Sequence, residues 1–320
     1  MANNALMELA ETARQLMVSC HLCPRNCQVD RLAGLTGFCG IGKVARLGKE
    51  LVHYAEEPEL APTYSIYFSG CNMRCEYCSN HSMLNPDCAG EPVVHNALAA
   101  RVDHALKNGS KTIFFLGGEP TCSLLDVILV LAEVKSAVPV VWNSNMYIAP
   151  EAFDLVLQIS DIFLADIKFG CDKCAMDLAG TPDYLENIRR NIMMVNDVGK
   201  QMIIRHLPLS GHVECCTMPA LEWIAANCPE TPVGILPLMP TENSTLKPLS
   251  SDETGFIDGE ILRLGLKKIN YNVREVPSVA AKTRTVESIL HIRNDGSIAV
   301  QDITGEIVNM LNRVGVDKKA

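Results

Sequence analysis

An α/β fold built on parallel strands is the fold class the sequence predicts, arranged as either a barrel or a doubly wound sheet. Three observations carry it. Six short, bounded apolar runs recur from residue 64 onward. Their lengths suit strands buried on both faces of a sheet. Helical patterns separate them, so strand and helix alternate six times.

The elements follow in order. Residues 1–63 hold four cysteines and many glycines with little sustained apolar periodicity, and they read as a cysteine-rich extension. Residues 64–68 form the first strand. A helix follows over 94–107, stopped by Asn108-Gly109, since glycine closes helices readily. The next strands are 112–116, 138–142, 162–167, 202–207 and 233–238. Helices over 124–137, 150–159, 182–198 and 219–227 lie between them, and a sixth lies within 254–267. The core barrel spans 64–284 on this reading, and 285–320 forms a small C-terminal β-hairpin. Ile289–Ile292 and Ile298–Val300 would be its strands, with Asp295-Gly296 supplying the positive backbone angles of the turn.

Composition narrows the function. Hydrophobic residues make up 48% of the 320, which excludes wholesale disorder. The formal net charge of −9 argues against nucleic acid as the main partner, since such binders carry a basic footprint. No stretch approaches a membrane span, and the first twenty residues lack a basic start followed by an apolar run. A cytoplasmic protein is expected, and in a reducing compartment its 14 cysteines point to metal or redox chemistry rather than disulfides.

The sharpest motif is Cys71-Asn72-Met73-Arg74-Cys75-Glu76-Tyr77-Cys78, directly after the first strand. Thiolates at spacings of four and three can wrap a compact cluster. Three ligands leave one iron of a cubane open to a substrate or cofactor. Zinc is the alternative, with His81 or Cys88 as a fourth ligand. At the end of the second strand, Leu116-Gly117-Gly118-Glu119-Pro120 offers two glycines that permit close backbone approach to a ligand. A second cysteine set, Cys20, Cys23, Cys27 and Cys39, suits structural zinc or a second iron–sulfur cluster. Cys122 and Cys228 read as small buried hydrophobes, and Cys171 and Cys174 as a CxxC in a loop, a spacing that suggests metal or redox work. Cys215-Cys216 precedes a helix, and adjacent cysteines seldom chelate one metal. His206 and His212 read as structural residues at a strand end.

The CxxxCxxC loop after one strand and the Gly-Gly-Glu after the next resemble the radical S-adenosylmethionine superfamily. That superfamily has a partial (β/α)6 TIM-like barrel. Val141-Trp142-Asn143-Ser144-Asn145-Met146-Tyr147, Asp166-Ile167-Lys168, Ile204-Arg205-His206-Leu207, the segment from Gly211 to Cys216 and the N-terminal cysteine segment resemble its PflX-type branch. That branch is similar to pyruvate formate-lyase activating enzymes. The resemblance implies that Cys71, Cys75 and Cys78 hold a [4Fe–4S] cluster whose open iron chelates S-adenosylmethionine. Reductive cleavage would then give a 5′-deoxyadenosyl radical that abstracts hydrogen, the electron coming from a flavodoxin or ferredoxin. It places Tyr77 against adenine and Gly117, Gly118 and Glu119 at the methionine amino group. Ser144, Asp166, Lys168 and Arg205 fall around the ribose and methionine carboxylate. Lys168 and Arg205 are equally readable as members of a rim ion pair with Asp166. Asn143 departs from the activating enzymes, which carry an aspartate there, so their alkali-cation site loses an anionic ligand. Leu238-Met239 also departs, lacking their histidine.

Two targets fit this chemistry: a glycyl-radical protein activated by the chain, or a small molecule or other protein modified by it. The rival from another class is a non-catalytic zinc or redox-sensing module.

Overall fold

The computed structural model describes residues 3–269, apart from 55–56, 58, 85–89, 240–243 and 245, together with the strands 288–292 and 298–302. The chain divides into two compact units, Met1–Tyr271 and Asn272–Ala320. In the first, helix α1 (Asn3–Val18) precedes strands β1 (Arg46–His53), β2 (Thr63–Phe68) and the short β3 (Glu91–Pro92). Then come α2 (His95–Lys107), β4 (Thr112–Gly117), α3 (Leu124–Glu133), β5 (Val140–Ser144), α4 (Pro150–Ile159) and β6 (Ile162–Ile167). The series ends with α5 (Asp172–Ala179), α6 (Tyr184–Asp197), β7 (Gln201–His206), α7 (Met218–Asn227), β8 (Val233–Ile235), α8 (Ser251–Arg263) and β9 (Lys268–Ile269).

The nine strands form one sheet in the order β3-β1-β2-β4-β5-β6-β7-β8-β9. From β2 to β9 every pairing is parallel, whereas β1 pairs antiparallel with both β2 and β3. Among the described residues the sheet's two edges, β3 and β9, are not joined, so the barrel is open, as the resemblance to a partial TIM-like barrel implies. Parallel register aligns the strand ends. Phe68 sits opposite Gly117, Ser144 opposite Ala165, and Asp166 opposite Arg205. One mouth therefore collects the loops that carry the predicted motifs. The core beneath is aromatic: Phe115 lies 6.2 Å from Phe68 and 6.3 Å from Trp142, ring centre to ring centre.

Two helices lie outside the predicted set. In α1 the buried positions are Leu6, Leu9, Ala10, Ala13, Leu16 and Met17. Their three- and four-residue spacing is a helical stripe. Two of the six are alanines, so the stripe carries little hydrophobic weight for its length. The same small residues let α1 pack closely on α3. Helix α5 occupies the segment read as a loop around Cys171 and Cys174. Cys171 caps its start by accepting the Cys174 N–H, and Gly180 ends it in the left-handed region at φ 56°. Strand β1 is likewise unpredicted. Its residues are mostly half-buried, as expected of a strand near a sheet edge.

In the second unit, β10 (Ser288–Ile292) and β11 (Ile298–Asp302) pair antiparallel with Ile292 opposite Ile298. These are the strands of the predicted hairpin. Its turn residues, Asn294 to Gly296, lie outside the described residues, as does Cys88.

Candidate functional site

The loop from Cys71 to Cys78 leaves the end of β2 and is held by hydrogen bonds at several points. Arg74 N–H donates to Ala179 O and Glu76 N–H to Leu178 O, so the loop rests on the end of α5. Arg74 also reaches Cys71 O at 2.6 Å and Met73 O at 2.9 Å, while Arg25 donates to Asn72 O at 3.0 Å. Phe38 lies between the two guanidiniums, 3.8 Å from that of Arg25 and 4.3 Å from that of Arg74. These stacked cation–π contacts join the N-terminal cysteine loop to the Cys71–Cys78 loop.

The Cys71 and Cys75 thiols are buried, which raises both pKa values, that of Cys75 to about 11. Cys71 is raised further by the neighbouring Glu119 carboxylate and by Cys75 and Cys78, and Cys75 by Cys78, while Lys168 pulls Cys75 down. Such thiols surrender their protons to a metal rather than to water. Donors point at Cys71: the Met73 N–H at 3.4 Å and the Asn145 amide at 3.9 Å. Asn145 in turn donates to Asn72 Oδ1 at 2.8 Å, and Asn72 to Tyr147 O at 2.7 Å. Neither asparagine was singled out from the sequence. The signal was the Asn143-Ser144-Asn145 step at the strand end, where polar side chains interrupt an apolar run.

Beside the loop is a polar cleft of about 1080 Å³, its open mouth included. Cys75, Tyr77, Cys78, Gly117, Gly118, Glu119, Ser144, Asp166, Lys168 and Arg205 all line it. Every predicted cluster-side and cofactor-side residue except the more deeply buried Cys71 thus borders one space. Tyr77 is buried with its ring edge-on to Phe169, 6.1 Å between centres. Its hydroxyl, next to the Cys75 thiol, has no conventional hydrogen-bond partner. An orphaned buried hydroxyl on the wall of a polar cleft fits a site that a polar ligand completes.

The glycines act differently from the sequence expectation. A Cβ on Gly117 would lie 2.2 Å from Phe68 O, and one on Gly118 would lie 2.1 Å from Gly70 O. The close approach they permit is between β4 and the backbone leaving β2. The N–H groups of Gly118 and Glu119 are spent there too, on Phe68 O and Gly70 O.

Glu119 and Ser144 are also engaged internally. The Glu119 carboxylate accepts from Thr121 N–H and Oγ1, from Ser144 Oγ at 2.9 Å and from Asn145 N–H at 2.9 Å. Burial raises its pKa, and these donors oppose the shift. Glu119 therefore ties the end of β4 to the end of β5.

Across the cleft, four charges form one cluster. Asp166 accepts from Lys168 Nζ at 2.8 Å and from Arg205 at 2.8 and 2.7 Å. Arg205 also lies 3.4 Å from Glu57 and donates to Asn143 Oδ1 at 2.6 Å. Burial alone would raise the Asp166 pKa, but Arg205 and Lys168 prevail and hold it below the usual carboxylate range. Burial likewise opposes the charge of Lys168, and Asp166 overcomes it and raises the lysine pKa. The rim ion pair is thus present, and Asn143 serves it as an acceptor. Glu57, from the segment between β1 and β2, was invisible in the sequence because only the fold brings it to Arg205.

The N-terminal cysteines gather as well. Cys20, Cys23, Cys27 and Cys39 line one small cavity with Arg31, and Cys122 joins them. Burial first, then the neighbouring thiols, push Cys23 up to about 12. A hydrogen bond with Cys122, supported by Arg31, lowers the Cys39 pKa. Cys122 is buried as expected, yet it belongs to this group rather than to the general core.

His206 is structural, as the sequence reading holds. Its Nδ1 meets Ile167 O at 2.7 Å and its Nε2 meets Thr217 Oγ1 at 3.0 Å, so the neutral ring donates from Nδ1 and accepts at Nε2. Burial lowers its pKa to about 4, against the pull of the Ile167 carbonyl. A pKa lowered on folding contributes stability that is complete above the unfolded value of about 6.5 and lost as pH falls through about 4. Over that window the loss should reach about 3 kcal/mol. Urea unfolding of wild type and His206→Phe between those pH values measures it, and equal pH slopes for the two proteins would refute it.

The comparisons with known proteins follow the same residues. The model of the radical SAM superfamily matches residues 65–224, half of the chain. The chain belongs to the radical SAM superfamily. An uncharacterized protein of Methanocaldococcus jannaschii is 33% identical over 239 residues, covering 73% of this chain and 69% of that one. Among solved structures, Streptococcus suis SuiB bound to S-adenosylmethionine aligns with a TM-score of 0.50 and 16% identity, over 62% of this chain. The alignment spans only 47% of SuiB. A radical SAM methyltransferase from Sphaerobacter thermophilus aligns with a TM-score of 0.51 and 12% identity, over 67% of each chain. These structures share the fold, an open parallel barrel. Membership in the superfamily makes the chain a radical SAM enzyme, with a [4Fe–4S] cluster and S-adenosylmethionine as the cofactors it implies. Among the described residues, no helix is long and apolar enough to cross a membrane.

Proposed function

We propose that this radical SAM enzyme abstracts hydrogen from a partner protein, with activation of a glycyl-radical enzyme as the specific form. The observation that carries the radical chemistry is one cleft that joins the Cys75 and Cys78 side of the loop to Tyr77, Gly117 and the Asp166–Lys168–Arg205 cluster. When bound, the cluster supplies one electron to the sulfonium of S-adenosylmethionine, breaking its C5′–S bond and generating the hydrogen-abstracting radical. Cys71, Cys75 and Cys78 would hold it, with Asn145 and the Met73 N–H directed at Cys71. Tyr77 offers a flat buried ring for adenine, with its hydroxyl beside the Cys75 thiol. Lys168 and Asp166 present a paired cation and anion to the ribose and methionine ends. The unjoined sheet edges support a protein target, since an open barrel leaves a side through which an extended segment can enter. A flavodoxin or ferredoxin is the donor this reading requires.

For the N-terminal cysteines the reading favours a second iron–sulfur cluster over zinc. Their sulfurs share a cavity, yet they are not drawn together as tightly as around a single ion. Among the described residues, only Cys174, His212 and Cys215 bring three ligand atoms within 4.8 Å of one another. A multi-iron cluster spreads its thiolates more widely than zinc does.

The test begins with anaerobic reconstitution, iron and sulfide analysis, and assay of 5′-deoxyadenosine with reductant. Cys71→Ala, Cys75→Ala and Cys78→Ala should each abolish its formation, and unchanged activity would refute the cluster assignment. Bound zinc with no cluster absorption would return the chain to the zinc or redox-sensing reading. Co-incubation with candidate glycyl-radical enzymes, read by electron paramagnetic resonance, should give a glycyl doublet. With 5′-deoxyadenosine formed but no doublet from any partner, the target is a small molecule or another protein.

A further inference from the structure

A second group of soft ligands lies in the loops after β6 and β7, apart from both cysteine sets described above. Cys174 Sγ is 3.5 Å from His212 Nδ1 and 3.7 Å from Cys215 Sγ, and Cys215 Sγ is 3.7 Å from His212 Nδ1. A tetrahedral zinc with Zn–S of about 2.3 Å and Zn–N of about 2.1 Å sets S···S near 3.8 Å and S···N near 3.5 Å. All three observed separations match those of ligands on such an ion.

The local sequence supplies the rest of the motif. Cys171-x-x-Cys174 and His212-x-x-Cys215 are two half-sites of equal spacing, one from each loop. Cys171 Sγ accepts the Cys174 N–H at 3.3 Å, as the first cysteine of a metal-binding turn does; it lies outside the group of three and would have to turn towards it to become the fourth ligand. The adjacent pair Cys215-Cys216 divides its tasks. Cys216 is buried and accepts the Gly170 N–H at 3.0 Å, whereas Cys215 is exposed and faces His212. A π-helical turn over Val213–Thr217 separates them by giving His212 O two N–H partners, those of Cys216 and Thr217.

We propose that Cys174, His212 and Cys215, with Cys171, bind one zinc ion. The ion would staple the loop after β6 to the loop after β7. Phe169, on the first of these loops, packs edge-on against Tyr77, so the staple would brace the wall of the cofactor cleft. Binding releases the thiol protons and changes no oxidation state.

The test uses the full chain, prepared anaerobically with its iron–sulfur content reconstituted. Zinc per chain should fall by about one equivalent in His212→Ala and in Cys215→Ser, with iron and sulfide unchanged. Neither side chain is buried, so both variants should fold; Cys174→Ser, at a buried position, is the third arm. After zinc is stripped, cobalt(II) added to the wild type should give thiolate charge-transfer and tetrahedral d–d absorption that the variants lack. Equal zinc content and superimposable cobalt spectra in wild type and variants would overturn the proposal. So would a Cys174–Cys215 disulfide found by mass spectrometry in the anaerobic protein.

Discussion

Replacing Arg205 with methionine should destabilise the protein by about 3–5 kcal/mol, the usual cost of removing one partner from a buried ion pair. Arg205 and Glu57 are among the most buried charged side chains described, at 5% and 1% exposure. With Lys168 and Asp166 they belong to one group of interacting charges. Methionine keeps much of the arginine stem's volume but takes the guanidinium away from both Asp166 and Glu57. The Asp166 pKa should then rise, because Arg205 does more than Lys168 to hold it down. Lysine would not rescue the loss, because a single ammonium cannot make two bonds to Asp166 and also meet Asn143 and Glu57. The double variant Arg205→Met, Glu57→Gln should recover part of the stability, since it also removes the carboxylate that faced the guanidinium. Denaturant unfolding of the singles and the double closes the cycle. A single variant within about 0.5 kcal/mol of wild type would show that the cluster is a rim feature with no structural weight.

That cluster also marks where sequence reasoning reaches and where it stops. Asp166, Lys168 and Arg205 were legible because each ends a strand-like run, and parallel register brings strand ends to one mouth. Glu57 was not, since it follows β1, a strand of weak pattern next to the sheet edge, and only the fold brings it to Arg205. Six of the seven parallel strands were visible as short apolar runs because most of their residues are buried; the two-residue β9 was not. Helix α1 was missed because its stripe is half-built from small or long, weakly diagnostic residues. The CxxC at Cys171 looked like a loop because α5 is only eight residues long and charged residues break up its short apolar pattern. The pairing of that turn with His212 and Cys215 is a tertiary event, produced by adjacent strands and a π-helical turn. Gly117-Gly118 was correctly singled out as a place of close approach, but periodicity could not say which backbone does the approaching.

Gly117→Ala should be the more damaging of the two methyl additions at the Gly117-Gly118 step. Two penalties act there, and the chain contains a control for each. Gly199 has φ +66° with nothing within 4 Å of an added Cβ, so Gly199→Ala carries backbone strain alone, about 1 kcal/mol. Gly118 has no positive φ, but its Cβ would stand 2.1 Å from Gly70 O, so Gly118→Ala carries the clash alone. Gly117 has φ +128° and a Cβ position 2.2 Å from Phe68 O and 2.4 Å from Phe68 N. The obstructing atoms are backbone, so no rotamer change relieves them, and β4 must separate from β2. Overpacking of this kind costs about 1–3 kcal/mol even where side chains can give. The expected order of destabilisation is therefore Gly199→Ala, then Gly118→Ala, then Gly117→Ala, the last losing about 3 kcal/mol or more. The damage should also reach the cluster loop. Gly118 and Glu119 hydrogen-bond to Phe68 and Gly70, immediately before Cys71, so parting the strands displaces the first ligand. Iron uptake on reconstitution should fall in Gly117→Ala and Gly118→Ala but not in Gly199→Ala. Equal iron content in all three would mean that the strand contact sets stability without setting the geometry of the cysteine loop.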